Sequence, residues 1–315
     1  MRTAALFPAI LLSCLAQDPI KVSVRLVNVA FTVRDANGTP VTNLTRDDFE
    51  VLDDGQRQPI SFFARGEDLP LALGLIVDAS GSQSKFVKQH ERHLRAFLND
   101  VLGPRDRALL LCFGNHLRLA SDFSNSASEI LEGLRAYEKK TVSVPEIGPH
   151  ELRQGGTAFY DALYYSTLRK LVRTEQGRRA LIVFSDGEDN SSAHTMMDVI
   201  EAAQAEDVTL FCIRYTETAK GEWTARNKYG ASVMARLARE TGGADFDAEK
   251  SDLRGSFRQI AEQLRSSYEL AYHAGAADGT FHKLSIRVKQ SGLTVRSKTG
   301  YYSSDATRTS FSPEP

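Results

Sequence analysis

The stretch "LALGLIVDASGSQSKF", residues 71–86, joins a continuous apolar run to a polar motif. The run Leu71–Val77 carries no charge, which is typical of a strand buried on both faces of a parallel sheet. Asp78, Ser80 and Ser82 follow directly. Because ligands of open α/β sheets bind just outside the carboxyl ends of the strands, the motif is a candidate nucleophile turn, phosphate loop or metal site.

Apolar strands and helical periods alternate downstream of this stretch. Strand-like runs occur in "RALLLCF", "HLRLAS", "RALIVFS" and "VTLFCIRY". Helical spacing of apolar residues predicts a first helix over "SKFVKQHERHLRAFLNDVLG" and further helices over residues 125–137, 158–173, 193–206, 231–241 and 252–266. This alternation predicts an α/β fold, a doubly wound and mostly parallel sheet, over residues 69–266.

Two short β segments flank the predicted α/β domain. Residues 17–68 and 267–303 show alternating apolar residues and turns but no helical period. Each segment is too small to build a core alone. We therefore predict that they pair into one β-sandwich into which the α/β domain is inserted, with two separate β modules as the alternative. The acidic stretch "DDFEVLDDG" in the first segment is interpreted as a solvated turn rather than a metal site.

The composition is typical of a globular protein without a basic surface, and the first residues indicate export. The 315 residues are 42% apolar and 25% charged, and the net charge of -1 excludes a general affinity for nucleic acid. Residues 1–16 resemble a secretory signal peptide, and Cys14 offers a lipid-anchor site as the alternative. We expect a location in the periplasm, on the cell surface or outside the cell, without a transmembrane segment. Residues 304–315 are predicted to form a disordered tail.

The remaining cysteines, Cys112 and Cys212, lie inside apolar strand-like runs. In the strand order typical of such a sheet, two strands separate them. Because neighbouring strands lie nearly 5 Å apart, their sulfur atoms cannot meet, and two free buried thiols are expected.

Three polar groups should meet at the carboxyl ends of the strands. They are Asp78, Ser80 and Ser82 after the first strand, Thr157 after "RQGG", and Asp186 in "FSDG". In this order they resemble the von Willebrand factor type A (VWA) domain and its metal-ion-dependent adhesion site (MIDAS). The resemblance covers roughly residues 70–265, and the flanking β segments resemble a VWA-related family of acidobacterial type.

The resemblance implies that these five residues bind a divalent cation, usually Mg²⁺, with Mn²⁺ or Ca²⁺ as alternatives. Magnesium prefers six oxygen ligands and keeps some water. Three of the side chains are neutral hydroxyls, so the cation stays electrophilic. An Asp or Glu of a protein partner would then complete its coordination, which is the basis of metal-dependent adhesion.

Three further residues are candidates for a partner-binding rim around the metal. Glu188 and Asp189 follow Asp186 and are expected to face solvent and make the rim acidic. Trp223 is the only tryptophan and lies in a predicted loop, residues 216–230, as an interface anchor or a half-buried pin for that loop. The long loop 138–156 leads to Thr157 and is expected to join the rim.

Other functions fit the motifs less well. A serine hydrolase needs a G-x-S-x-G turn, which is absent, although His194 offers a base. The glycine patterns of phosphate and dinucleotide loops are also missing. His90 and His93 share one helix and are more often border residues than ligands. The sequence therefore favours a non-enzymatic binding module, with a structural protein whose metal only orders the loops as the alternative and a hydrolase as a remote one.

Overall fold

The computed structural model describes residues 26–66, 69–148, 155–172, 177–216, 222–249, 252–275 and 278–303. The predicted signal peptide with Cys14 and the predicted tail, residues 304–315, lie outside these ranges. Among the described residues, no helix combines the length and the apolar character needed to cross a bilayer.

Strands and helices follow the order expected from the apolar pattern. In chain order the strands are β1 (Leu26–Arg34), β2 (Phe49–Asp53), β3 (Gln56–Gln58), β4 (Ile60–Arg65), β5 (Leu71–Asp78), β6 (Arg107–Phe113), β7 (Leu117–Ser124), β8 (Arg178–Ser185), β9 (Val208–Arg214), β10 (Asp245–Asp247), β11 (Tyr268–His273), β12 (Phe281–Val288), β13 (Thr294–Ser297) and β14 (Gly300–Tyr302). The α-helices are α1 (Val87–Val101), α2 (Ala127–Glu138), α3 (Phe159–Tyr165), α4 (Met196–Ala205), α5 (Ala225–Glu240) and α6 (Leu253–Arg265).

The central sheet has the strand order β10-β9-β8-β5-β6-β7. Its strands are parallel except β7, which runs antiparallel to β6. Side chains of α1, α2 and α6 pack on one face, and those of α3, α4 and α5 pack on the other. All eight residues of β5 are buried, as the uncharged run Leu71–Val77 predicted. The predicted doubly wound α/β fold is confirmed.

The two β segments form a sandwich, as predicted. One sheet has the order β13-β1-β11-β4 and the other β14-β12-β2-β3, so each combines strands from both ends of the chain. Antiparallel pairs such as Phe31↔Tyr268 and Val51↔Ile286 join the segments directly. Phe31 and Tyr268 also stack in the sandwich core, with ring centroids 5.4 Å apart. Neither segment has this core without the other.

The cysteine prediction is confirmed by the sheet. Cys112 on β6 and Cys212 on β9 are free and buried, and β5 and β8 separate their strands. The two side chains also lie in the cores on opposite faces of the sheet.

The boundary of α5 differs from the prediction. The sequence predicted a helix over 231–241 after a loop, but α5 begins at Ala225. Thr224 caps it: its hydroxyl accepts from Asn227 N at 3.1 Å, and Asn227 Oδ1 accepts from Thr224 N at 3.0 Å. This reciprocal cap satisfies free N–H groups of the first turn and extends the helix into the predicted loop 216–230.

Candidate metal centre

Asp78 is fixed at the carboxyl end of β5 and is fully buried. Its Oδ1 accepts a hydrogen bond from Ser80 N at 2.9 Å, and its Oδ2 accepts one from Ser185 Oγ at 2.6 Å. Burial raises the pKa of Asp78 to about 7, and the neighbouring charge of Asp186 acts in the same direction. The carboxyl is therefore well oriented but costly to ionise without a cation.

A chain of hydroxyls connects the first motif, Asp78 with Ser80 and Ser82, to Asp186. Ser80 Oγ lies 3.2 Å from Ser82 Oγ, and Ser82 Oγ donates to Asp186 Oδ2 at 2.9 Å. Gln83 Nε2 donates to the same carboxylate oxygen at 2.9 Å. Residues 104 positions apart in the chain are thus in direct contact at the ends of β5 and β8.

The backbone of Thr157 is fixed by hydrogen bonds. Its N–H donates to Asn190 Oδ1 at 2.7 Å, and its carbonyl accepts from Asn190 N at 3.0 Å, which holds it against the loop after Asp186. The N–H of the next residue, Ala158, donates a hydrogen bond to the carbonyl oxygen of Gly114. Gly114 in turn lies next to Ser80, since a Cβ built on this glycine would be 3.9 Å from Ser80 Cα. The structure therefore brings the Thr157 loop beside both other motifs.

Glycines allow the close approach of α5 to the Asp186 loop. Gly187 has φ +76, and a Cβ there would lie 2.5 Å from the carbonyl oxygen of Gly230. A Cβ at Gly230 would lie 2.3 Å from the carbonyl oxygen of Asp186. Because backbone cannot move aside as a side chain can, both positions need glycine to keep Asp186 in place.

The donor set fits a hard divalent cation. In an octahedron with bonds of about 2.0–2.1 Å, adjacent ligands lie about 3 Å apart. The contacts of Ser82 Oγ, at 3.2 Å to Ser80 Oγ and 2.9 Å to Asp186 Oδ2, are hydrogen bonds whose lengths are also compatible with that edge. The ion pairs found within the described ranges include none with Asp78 or Asp186. Two buried carboxylates without a protein cation are the arrangement that a bound metal stabilises.

The three predicted rim residues are engaged with the protein itself. Glu188 is half-buried and pairs with Arg226, with Oε2 2.6 Å from Nε. Asp189 is also half-buried, and its Oδ1 accepts from Ser192 Oγ at 2.5 Å. The expectation that both face solvent is therefore wrong, because each side chain neutralises or caps a neighbouring group.

Trp223 is half-buried rather than fully exposed. The guanidinium carbon of Arg214 lies 5.1 Å from the centre of its ring, which is a cation–π distance. Of the two roles predicted for Trp223, this contact favours the pin that holds its loop.

A groove opens beside the first motif. It has a volume of about 500 Å³ and is bordered by Ala79, Val87, Tyr137, Val142 and Arg118. The side chain of Val142, in the predicted loop 138–156, is exposed. Residues 149–154 of that loop lie outside the described ranges.

Sequence reasoning missed Ser185, Gln83 and Asn190. Ser185 could have been found, since it ends the apolar run "LIVFS" directly before Asp186. Gln83 and Asn190 carry no local pattern, and their roles depend on contacts across 103 and 33 residues.

Comparisons with known proteins concern the fold. No protein-family model matches the sequence, and no curated protein matches it either. Among solved structures, BatB from Bacteroides thetaiotaomicron is 15% identical, with 62% of this chain and 97% of that chain covered and a TM-score of 0.46. Manganese-loaded TRAP of Plasmodium vivax is 16% identical, with 79% and 97% covered and a TM-score of 0.46.

A third structure is proximal thread matrix protein 1 from the mussel byssus, with a zinc-occupied MIDAS motif. It is 14% identical, with 68% of this chain and 50% of that chain covered and a TM-score of 0.47. These neighbours are VWA-domain proteins. The candidate metal centre rests on the contacts within this chain. The acidobacterial subtype stays a prediction.

Proposed function

We propose that the central domain is a non-enzymatic, metal-dependent protein-binding module of the bacterial cell envelope. Asp78, Ser80, Ser82, Thr157 and Asp186 hold the cation. The observation that carries the proposal is the pair of buried carboxylates, Asp78 and Asp186, which have no ion-pair partner among the described residues and lie beside the neutral hydroxyls of Ser80 and Ser82.

The charge of the site supports binding of an acidic partner. Two carboxylates neutralise a divalent cation, and the hydroxyl ligands add no further negative charge. The cation keeps its Lewis acidity and a position for water. An Asp or Glu of a partner protein replaces that water, and the groove bordered by Val87 and Val142 receives the neighbouring apolar residues of the partner.

The alternative, in which the metal only orders the loops, has less support. The Thr157 and Asp186 loops are already joined by direct hydrogen bonds through Asn190. A hydrolase is also disfavoured. The Ser82 hydroxyl contacts Ser80 Oγ and Asp186 Oδ2, and no hydrogen bond among the described residues joins either serine to His194, whose Nδ1 lies 2.7 Å from Asp161 Oδ1. Export is part of the proposal and follows from the leader-like residues 1–16.

The first test measures metal binding by itself. Calorimetric titration of the chelator-stripped chain with Mg²⁺ should give one site, which Asp78→Ala and Asp186→Ala abolish. Asp47→Ala is the matched control, since that side chain is 88% exposed and belongs to the N-terminal β segment rather than to the central domain. Without metal binding by the natural chain, the proposal fails.

The second test concerns the partner. Proteins captured from envelope extracts by the immobilised chain in Mg²⁺ should be released by EDTA and be missing with Asp78→Ala. For each captured protein, Asp or Glu residues of its binding segment are then changed to Asn or Gln. Capture that survives EDTA, Asp78→Ala and these changes would show that the metal mechanism is wrong; a lower thermal stability of Asp78→Ala beside intact capture would then favour a metal that only orders the loops.

A further inference from the structure

A second cluster of metal-ligating side chains lies in the β-sandwich, away from the centre described above. Asp53 ends β2, Asp54 lies in the following turn, and His282 lies on β12. One ligand atom from each residue lies within 4.8 Å of the others. His282 Nδ1 is 3.0 Å from Asp54 Oδ2 and 3.5 Å from Asp53 Oδ1.

Asp53 supplies an independent sign of a missing ligand. Its side chain is 9% exposed, and its Oδ1 is buried and has no hydrogen-bond partner among the described residues. Its Oδ2, in contrast, accepts from Tyr272 Oη at 3.0 Å and from Tyr301 Oη at 2.7 Å. Two tyrosines thus fix the carboxylate so that its unsatisfied oxygen is on the side of His282. A buried acceptor without a donor is costly, and a cation would satisfy it.

His282 is oriented as metal-binding histidines usually are. Its Nε2 lies 3.2 Å from Asp278 Oδ1, and its ring stacks on Tyr301 with 5.2 Å between the centroids. Asp278 is itself held by the hydroxyls of Ser303 and Thr280. A carboxylate on the second ring nitrogen fixes the tautomer and leaves Nδ1 free to bind a metal. Here Nδ1 is the nitrogen that faces the other two carboxylates.

We propose that Asp53 Oδ1, Asp54 Oδ2 and His282 Nδ1 form a second divalent-cation site, with Zn²⁺ as the best fit. Tetrahedral ligands at about 2.0–2.1 Å from zinc lie about 3.3 Å apart, between the observed 3.0 and 3.5 Å. An imidazole ligand selects zinc and its transition-metal neighbours over Mg²⁺ and Ca²⁺. Asp54 is 52% exposed, so water completes the coordination.

The site would join the two ends of the chain. Asp53 and Asp54 belong to the N-terminal segment, and His282 belongs to the C-terminal one, 228 residues after Asp54. The tyrosines that orient Asp53 come from both sheets, Tyr272 on β11 and Tyr301 on β14. A metal here therefore fastens the sandwich, whereas the first centre faces a partner.

The test is Zn²⁺ titration of the full chain against a chromophoric chelator. The first centre is removed by Asp78→Ala or, in a parallel arm on the natural chain, saturated with excess Mg²⁺. One equivalent of Zn²⁺ should bind in both arms. His282→Arg should abolish this binding, since Arg places a positive charge among the carboxylates but offers no metal-binding lone pair.

Two further variants are expected to change the Zn²⁺ affinity by different amounts. Asp278→Asn should weaken Zn²⁺ binding about 10–100-fold, because it removes the orienting carboxylate. His273→Gln, an exposed histidine of the same sandwich, should leave binding unchanged. Absence of Zn²⁺ uptake in both arms, or uptake that His282→Arg leaves unchanged, overturns the proposal. Either result is independent of whether the first centre binds a partner.

Discussion

Replacing Asp78 with Asn tests the electrostatic basis of the first candidate metal centre. Burial raises the pKa of this carboxyl from 3.8 to about 7 in the metal-free chain. Because the folded pKa lies above the unfolded one, the folded chain holds the proton more tightly. The resulting stability is fully present below a pH of about 4 and is lost as the pH rises toward about 7.

The size of the effect follows from the two pKa values. The difference between 3.8 and about 7 corresponds to about 4 kcal/mol at pH 8 and about 2 kcal/mol at pH 5.5. Asn has a similar shape and is neutral at every pH. In excess chelator, Asp78→Asn should therefore raise the free energy of unfolding by up to these amounts, more at pH 8 than at pH 5.5.

Urea unfolding can be followed by the fluorescence of Trp223, the only tryptophan, which contacts Arg214 in the central domain. Excess Mg²⁺ should stabilise the natural chain by about 2.7 kcal/mol at 100 times the dissociation constant, and should not stabilise Asp78→Asn. Asp47→Asn is the surface control. The reasoning is refuted if Asp78→Asn is less stable than the natural chain in chelator at pH 8, or gains as much from Mg²⁺.

Three further substitutions probe the packing around the sites. Gly230→Ala places a methyl 2.3 Å from the carbonyl oxygen of Asp186, so it should cost about 1–3 kcal/mol in urea melts and weaken Mg²⁺ binding in calorimetry. His90 is buried with both ring nitrogens unpartnered among the described residues, and burial lowers its pKa to about 3. Because the pKa of His90 in the folded chain lies below its unfolded value of 6.5, the folded state loses stability as the pH falls below about 6.5. His90→Phe removes this loss and should raise the free energy of unfolding by about 2 kcal/mol at pH 5 relative to its effect at pH 8, as measured by urea unfolding at both pH values. Tyr268→Phe removes a hydroxyl that bonds two backbone groups of residues 41–44, and a thermal melt should show a loss of about 1–3 kcal/mol.

The fold was predictable because its main features are local in the sequence. An uncharged strand such as Leu71–Val77 has apolar side chains on both faces, so both faces must be covered by other elements. The segments with helical periodicity provide the helices that cover them. The sandwich was predictable by elimination, since neither β segment can form a core alone. Helix boundaries were harder. The start of α5 depends on the mutual cap of Thr224 and Asn227, which extends the helix before its apolar period becomes visible.

The motif residues of the first centre were placed from the sequence because each follows a recognisable strand or glycine pair. Their surroundings were not. Glu188 and Asp189 looked solvated because they are acidic and follow a turn, yet Arg226 and Ser192 bind them. A side chain that pairs with a residue from another loop or helix shows no periodicity or fixed spacing in the sequence. The charge of Glu188 and Asp189 was therefore a poor guide to their exposure.

The two candidate metal sites differ in how far their ligands can be predicted from the sequence. In the first, Asp78, Ser80 and Ser82 form a local motif, and parallel strands deliver Asp186 to the same edge of the sheet. In the second, "DDG" at 53–55 resembles any hairpin turn until the register of β2 with β12 brings His282 beside it. That register exists only because two incomplete β segments must pair. A ligand set created by such pairing depends on the fold being complete, and its metal should therefore stabilise the sandwich as a whole rather than one segment.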